Sequence, residues 1–523
     1  MSKSKQAAKS VFIIIIFTVG SKILGYIREA LIAAKFGSDA ETDTFFVAFT
    51  AISLFATIIT VSINTTMIPV FSEIEAKEGK RAKGDHANNL LNVIFMVSFV
   101  FIVLAWLLAP FIIRILASGF GGKQYKLAVL MMRIGLPVVF FAGTVGVFEG
   151  YLQSELMFTE SAVARLPFNL IYIFFLIFLS SFFGIKGLMV ASVLAVGAQV
   201  LTQIPGIRKA GFKYSFVLDF KDKYVRKIIY LAPPTLIGIA IGDLNVIIDK
   251  SLASTLADGS ISALNYANIL GGLITGIFIS AITIVIFPLL SKEANEDSND
   301  GFKKIIIYGI NIILSVMIPA IIGMIVLADP IVRVAFERGA FDSNATCMTV
   351  GALIFYLIGL VGTALDILLC KVYYSLQDTR TPVTVGIIAV VINIILNFAL
   401  INSMAHRGLA LATSISAIVT SLLLLYGLKK KIGPFGFTKS VKCGLKSLIA
   451  SIMMGVIIYF LNSALTESVG DGTMLRLVVL LVSVGVGALI YFMLIYIFRI
   501  DEVDWIIKVV RDKLGEIIAK VQA

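Results

Sequence analysis

The feature that most limits what this 523-residue chain can fold into is the recurrence of apolar runs of 20 or more residues from one end to the other. Wound as a helix at 1.5 Å per residue, such a run crosses about 30 Å of hydrocarbon. A bilayer core offers no water to unpaired amides, so a chain built from many such runs folds as helices that satisfy their own backbones. Hydrophobic residues make up 59% of the sequence and charged residues only 15%. A soluble chain of this length would confine its apolar residues to compact cores between polar surfaces. The expectation is an all-α polytopic membrane protein.

The runs predict about fourteen spans, at 11–35, 44–72, 88–116, 128–152, 160–183, 187–207, 226–255, 261–291, 303–328, 347–375, 382–403, 407–428, 442–464 and 474–498. Lys and Arg gather in alternate connections. Lys77, Lys80, Arg81 and Lys83 follow the second span; Arg208 to Lys227 fill the link between the sixth and seventh; Lys429, Lys430 and Lys431 follow the twelfth. The opposite connections, such as GSDAETD (37–43) and LADGS (256–260), contain neither. The positive-inside rule then places both termini in the cytoplasm. The formal charge of +12 follows this topology and is no sign of nucleic-acid binding. The basic start reads as part of an uncleaved first helix, because the segment is long, interrupted by charge, and lacks a small-residue cleavage site. The tail 501–523 reads as an amphipathic helix on the cytoplasmic surface, with Ile506, Val510, Leu514, Ile517 and Val521 on one face.

The chain also repeats itself. At a shift of 219 residues Ala48 falls on Ala267, Pro69 on Pro288, Arg114 on Arg333, and Gly143-Thr144 on Gly362-Thr363. Asn169 then meets Asn393 at a shift of 224, and GLMVA (187–191) meets GLALA (408–412) at 221. Two six-helix copies follow, in the same membrane orientation because each holds an even number of helices. Such copies are related by a pseudo-twofold axis along the membrane normal, with a site expected between them. The expected organisation is an N-terminal lobe 1–208, a loop 209–225, a C-terminal lobe 226–428, a loop 429–441, two further helices in 442–500 and the tail 501–523.

Three cysteines without close spacing and two histidines exclude a disulfide framework and a histidine-based metal site. No phosphate-cradling glycine loop and no catalytic set stands out, so a transporter is expected rather than an enzyme. The informative residues are charges placed within spans, each costing about 2.5–3.5 kcal/mol at a helix centre. The first span, VFIIIIFTVGSKILGYIREALIAAKFG (11–37), holds Lys22, Arg28 and Glu29. Lys22 and Glu29 are seven apart and share a face, and Arg28 lies about 120° from Lys22. A cationic cavity for an anionic ligand fits this set, with Arg forming two-pronged bonds to phosphate oxygens. Snorkelling of Lys22 and Arg28 to opposite surfaces is the plainer alternative. The seventh span carries Asp243, Asp249 and Lys250, the eleventh Asn393 and Asn397 one turn apart, and the twelfth Thr413. A carboxylate with amide and hydroxyl oxygens suits Na⁺, and an interhelical hydrogen-bond network is the alternative. Asp366 and Lys371 on the tenth span form an internal pair or a second basic site.

Several segments together resemble the MurJ (MviN) lipid II flippases of the multidrug/oligosaccharidyl-lipid/polysaccharide exporter superfamily. They are SKILGYIREALIAAKFGSDAETDTFFVAF (21–49), GSISALNYANIL (259–270), FPLLSK (287–292), FERGAF (336–341) and YYSLQDTRTPV (373–383). The resemblance implies fourteen helices, two lobes around a cationic cavity, and a groove at helices 13 and 14 for a polyprenyl tail. It implies transport of lipid II, the undecaprenyl-diphosphate-linked peptidoglycan precursor, by a monomer in the bacterial inner membrane among membrane lipids. The family's basic pair falls on Lys22 and Arg28, its acidic residue opening helix 2 on Asp43, and its sodium site on Asp249, Asn393, Asn397 and Thr413. Two cavity arginines of the family are replaced here, by Ala56 and Ile269; Lys250 and Lys371 are the candidates to compensate. No cofactor beyond a possible Na⁺ is implied. The rival readings are a flippase for another polyprenyl-diphosphate glycan, a cation-coupled drug exporter, and a scaffold without transport.

Overall fold

The computed structural model describes residues 3–293, 299–469 and 472–498. The expected tail helix over 501–523 lies outside them. In chain order the helices are α1 (Lys3–Phe36), α2 (Ala40–Leu116), α3 (Gly122–Gly135), α4 (Pro137–Ser154), α5 (Phe158–Val163), α6 (Arg165–Phe174), α7 (Ser180–Lys209), α8 (Lys223–Ala253) and α9 (Ser260–Ile274). Then follow α10 (Ser280–Glu293), α11 (Asn299–Val326), α12 (Ala328–Phe336), α13 (Ser343–Ser375), α14 (Arg380–Met404), α15 (His406–Ile432), α16 (Phe437–Val469) and α17 (Thr473–Ile497). Short π-helical turns join α6 to α7 and α9 to α10. No strand occurs among the described residues.

Eleven segments of the described residues are long and apolar enough to span a membrane. The expected fourteen are not resolved as fourteen separate helices. Thr66–Leu116 and Phe158–Lys209 run 51 and 52 residues, each long enough to cross twice. The first of these belongs to α2, which continues through a kink at Gly79 (φ 87°). A glycine is needed there because other residues resist positive φ.

Packing divides the chain into two units, 1–262 with 338–345, and 263–337 with 346–523. The whole of α8 packs within the first of these units. Tyr224, Val225 and Ile228 of α8 join a core formed by Met67, Phe71, Leu91, Tyr151 and Leu152. Beside it Lys83, one of the basic residues that follow the second expected span, is fully buried. Its ammonium bonds Glu75 (2.5 Å) and Glu155 and lies 5.0 Å from the Tyr151 ring centre. Two carboxylates around one amine remove the cost of burying it alone.

Within the first unit, the helix ends expected on the acidic side meet in a reciprocal pattern. The loop after α2 reaches the end of α8, where the Gly119 amide donates to Ser254 Oγ at 3.0 Å. The segment 338–345 reaches the end of α1, where the Ala340 amide donates to the Ala34 carbonyl at 2.9 Å. The two contacts use positions about 220 residues apart, as a duplicated unit requires. Ser38 Oγ donates to the Gly259 carbonyl at 2.9 Å, joining residues 221 apart. Gly259 and Gly339 are fixed by this closeness. A Cβ would lie 2.4 Å from Ser38 O and 2.2 Å from Ala34 O respectively, and both have positive φ.

In the second unit α11 packs on α16, α14 on α15, and α16 on α17. The two helices outside the repeat are docked by a buried polar pin. Tyr491 of α17 donates to the Ser315 carbonyl of α11 and meets Ser447 of α16, both at 2.7 Å. The motif around Asp378 serves as a cap. Its carboxylate accepts from the Thr381 amide (3.0 Å), Thr381 Oγ1 (2.8 Å) and Lys431 (2.6 Å). The Lys431 ammonium first, and the Thr381 amide next, hold its pKa down at about 2.

Candidate functional site

Arg28 sits one helical turn beyond Gly25 on α1, and α6 supplies its surroundings. Its guanidinium donates to Glu29 Oε1 through Nε (3.1 Å) and Nη2 (2.5 Å), and to Asn169 Oδ1 through Nη1 (3.2 Å). The Phe168 and Tyr172 rings lie 5.3 and 5.1 Å from it, at cation–π distance. Tyr172 is fixed in turn by a 2.5 Å bond to Ser192 Oγ of α7. Asn169 also donates to the Ser21 carbonyl at 3.1 Å, so one amide joins two turns of α1 to α6. Arg28 is thus neutralised and oriented by the protein itself. It does not snorkel, and its side chain stays only 20% exposed.

Lys22 and Glu29, expected on one face, part company. Lys22 is exposed and Glu29 is buried, because the Arg28 bond draws the carboxylate toward α6. Glu29 Oε2 is buried with no hydrogen-bond partner among the described residues. Asp43 lies in the first turn of α2, whose N-cap is Asp39. It is buried, and both oxygens are taken: Oδ2 accepts from the Gly259 amide (2.8 Å), and Oδ1 from the Ser262 amide (2.7 Å) and hydroxyl (2.5 Å). The carboxylate therefore caps the start of α9, where free amides and the helix dipole favour an anion. This occupies the oxygens that a substrate contact at Asp43 requires. Lys250 of α8 lies 5.7 Å from the Phe46 ring centre. Ala56 and Ile269, at the family's arginine positions, are half-buried.

In the second unit Asn393, Asn397 and Thr413 come together. Asn397 Nδ2 donates to Asn393 Oδ1 (2.9 Å), Asn393 Nδ2 to Thr413 Oγ1 (3.4 Å), and Thr413 Oγ1 to the Leu409 carbonyl (3.1 Å). Asn393 and Asn397 are buried. These neutral oxygens suit a hard cation, but in this arrangement they serve one another as a network between α14 and α15. The carboxylate of the expected set, Asp249, belongs to the first unit. Lys371 lies 5.4 and 5.9 Å from the Phe287 and Tyr374 ring centres. Cys370, rather than Lys371, donates to Asp366, at 3.5 Å.

The sequence reading passed over Phe168, Tyr172 and Ser192, and met Asn169 only as the counterpart of Asn393. A polar residue on a greasy span is the one signal that pointed to Asn169. The rings carry no such mark in a chain with 38 phenylalanines.

The fold defines the class. A multidrug transporter of the MATE family in an inward-facing conformation superimposes with a TM-score of 0.64 at 16% identity, covering 79% of this chain and 95% of that one. The architecture is therefore the multi-span helical fold seen in that protein. Within that class, a lipid II flippase MurJ in an inward closed conformation aligns with a TM-score of 0.77 at 25% identity, over 93% of this chain and 98% of the other. The probable lipid II flippase MurJ of Vibrio cholerae is 31% identical over 477 residues, 88% of this chain and 91% of that protein. That of Buchnera aphidicola from Baizongia pistaciae is 28% identical over 490 residues, covering 92% and 95%. The family described as lipid II flippase MurJ matches residues 32–480, and the chain belongs to it.

Proposed function

We propose that this protein carries lipid II from the cytoplasmic to the outer leaflet of the bacterial inner membrane by exposing its site alternately to the two sides. The observation that supports this most directly is the family match from 32 to 480, which takes in nearly every span. In this reading the diphosphate of the headgroup binds Arg28 and Lys22. Arg28 is already aimed by its stacking on Phe168 and Tyr172, so little side-chain freedom is lost on binding. Phosphate oxygens replace Glu29 Oε1 on the Nε/Nη2 edge, where charge-assisted bonds are strongest. Glu29 acts as the internal counter-ion that makes an empty site tolerable in hydrocarbon. Asp43 holds the start of α9 and does not touch the substrate. The polyprenyl tail stays in lipid along α16 and α17.

The driving force we propose is the membrane potential or Na⁺, with Asn393, Asn397 and Thr413 as neutral oxygen ligands and a carboxylate, for which Asp249 is the candidate by resemblance, as the charged one. The protein works as a monomer with both termini in the cytoplasm. A second reading, transport of another polyprenyl-diphosphate glycan, is favoured by Ala56 and Ile269, which stand where the resemblance expects arginine. Expression in a strain depleted of its own lipid II flippase, with the precursor measured directly, tests both. Growth with falling precursor is expected. Persistent accumulation despite inserted protein overturns the lipid II reading and leaves the second.

A further inference from the structure

The linker between α7 and α8 has a feature that transport does not use. Residues 212–219 form no helix or strand, yet their backbone is held along one face of α2 by three buried asparagines. Asn88 donates to the Lys213 carbonyl (2.8 Å) and accepts from the Ser215 amide (3.0 Å). Asn92 donates to the carbonyls of Val217 (2.9 Å) and Ser215 (3.2 Å). Asn89 donates to the Asp219 carbonyl (2.9 Å) and accepts from its amide (2.7 Å). Each side-chain amide thus does the work of a neighbouring strand. The far end is tied as well: Asp222 caps α8 through the Tyr224 amide (2.7 Å) and meets His86 (2.5 Å). Burial raises the Asp222 pKa, but the bonds from His86 and the Tyr224 and Val225 amides outweigh it and hold the carboxyl below its usual range.

The clasped segment leaves its side chains exposed, among them Tyr214, Phe216, Leu218 and Phe220 at 59%, 76%, 40% and 45%; the Tyr214 hydroxyl donates to Asn92 Oδ1 at 2.9 Å, which holds that ring at the clasp. Exposed apolar side chains on a backbone this well bonded mark a contact surface. Two observations identify what covers them. One turn beyond Asn92, α2 begins a run of outward apolar residues, with Met96, Phe99, Val100 and Val103 all exposed. The linker edge is therefore continuous with the surface that meets lipid, about 6 Å from its start. Exposed Lys213 and Lys221 flank it, and aromatic rings with lysines are the composition of a membrane–water interface.

We infer that the clasped linker 213–221 is an interfacial anchor that seats Tyr214, Phe216, Leu218 and Phe220 among the headgroups of an anionic phospholipid surface, with Lys213 and Lys221 on the phosphates. Phe216→Trp tests it in the full-length protein, using nanodiscs of phosphatidylcholine with and without phosphatidylglycerol and subtracting the emission of the parent protein. A blue-shifted indole, shielded from acrylamide and quenched more by lipids brominated near the headgroup than near the chain end, is expected. K213Q/K221Q should return the emission toward the red in the anionic discs alone. An indole quenched by acrylamide as strongly as free N-acetyltryptophanamide in both discs overturns the inference and leaves the edge for a protein partner. An emission insensitive to K213Q/K221Q overturns the anionic part. Position 216 is exposed enough to take the larger ring, and an unchanged melting temperature confirms that the fold is retained.

Discussion

Asn169 and Asn393 hold matching places in the two copies of the repeat, yet they do different work. Asn169 gives its carbonyl oxygen to a cation, Arg28, and its amide to α1. Asn393 is bonded to neutral groups, Asn397 and Thr413. Duplication therefore supplied one amide position twice, and the charge beside it decided the outcome. Where Arg28 and Glu29 stand, the amide became part of a cation clamp. In the second copy it became part of an oxygen-rich cluster with no charge of its own among these partners. The difference matters for function, because one chemistry suits a phosphate and the other a small cation.

The largest effect that would break the comparison is at Arg28. Arg28→Ala should abolish rescue of a flippase-depleted strain while the protein still inserts; normal growth would sink the assignment of the diphosphate to this clamp. The same change strands Glu29, and uncompensated buried charge costs about 3–5 kcal/mol. Arg28→Met with Glu29→Leu should recover much of that loss in a thermal melt and none of the transport. For the second copy, Asp249→Asn and Asn393→Ala should each remove Na⁺-dependent stabilisation of the purified protein, an outcome read from melts with Na⁺ or K⁺. A Na⁺ response equal to the parent's would leave the cluster as a structural network.

A finer test compares the two amides without ions. Asn169→Leu loses a bond to a charged group, worth about 1.5–3 kcal/mol, and a neutral one to Ser21, whereas Asn393→Leu loses two neutral ones worth about 0.5–1.5 kcal/mol each. Equal melting shifts would count against the distinction drawn here. The smallest expected effect is at the α14 cap, where Asp378→Ala should cost about 1 kcal/mol. Its folded pKa of about 2 lies below the unfolded value of about 3.9. The stabilisation is thus complete above pH 4 and is lost as the pH falls toward 2. The variant should lack that slope in acid melts, and an unchanged slope would assign it elsewhere.

Much of the architecture was legible in the residues. Long apolar runs force helices, and the register of Ala48 with Ala267 or Pro69 with Pro288 exposes the repeat. Arg28 and Asn393 were found because a polar group in a span is costly and so has a reason to be there. The partners were less legible. Phe168 and Tyr172 look like any lipid-facing ring, and Lys83 looks like any loop lysine until Glu75 and Glu155, 8 and 72 residues away, close around it. Asp43 was legible only as the acidic residue opening helix 2; that its oxygens cap α9, through residues more than 200 positions distant, was not.

What the sequence determined by itself is therefore the class of protein, the helical spans, the duplication and the presence of charge in α1, since hydropathy and period are properties of neighbouring residues. Only the tertiary structure decided which groups neutralise that charge, that α8 packs with the first six spans, and that a linker without regular structure is strapped to α2. Pairing energies fall steeply with distance, so they depend on which side chains the folded chain brings within 3 Å, and sequence separation carries no record of that.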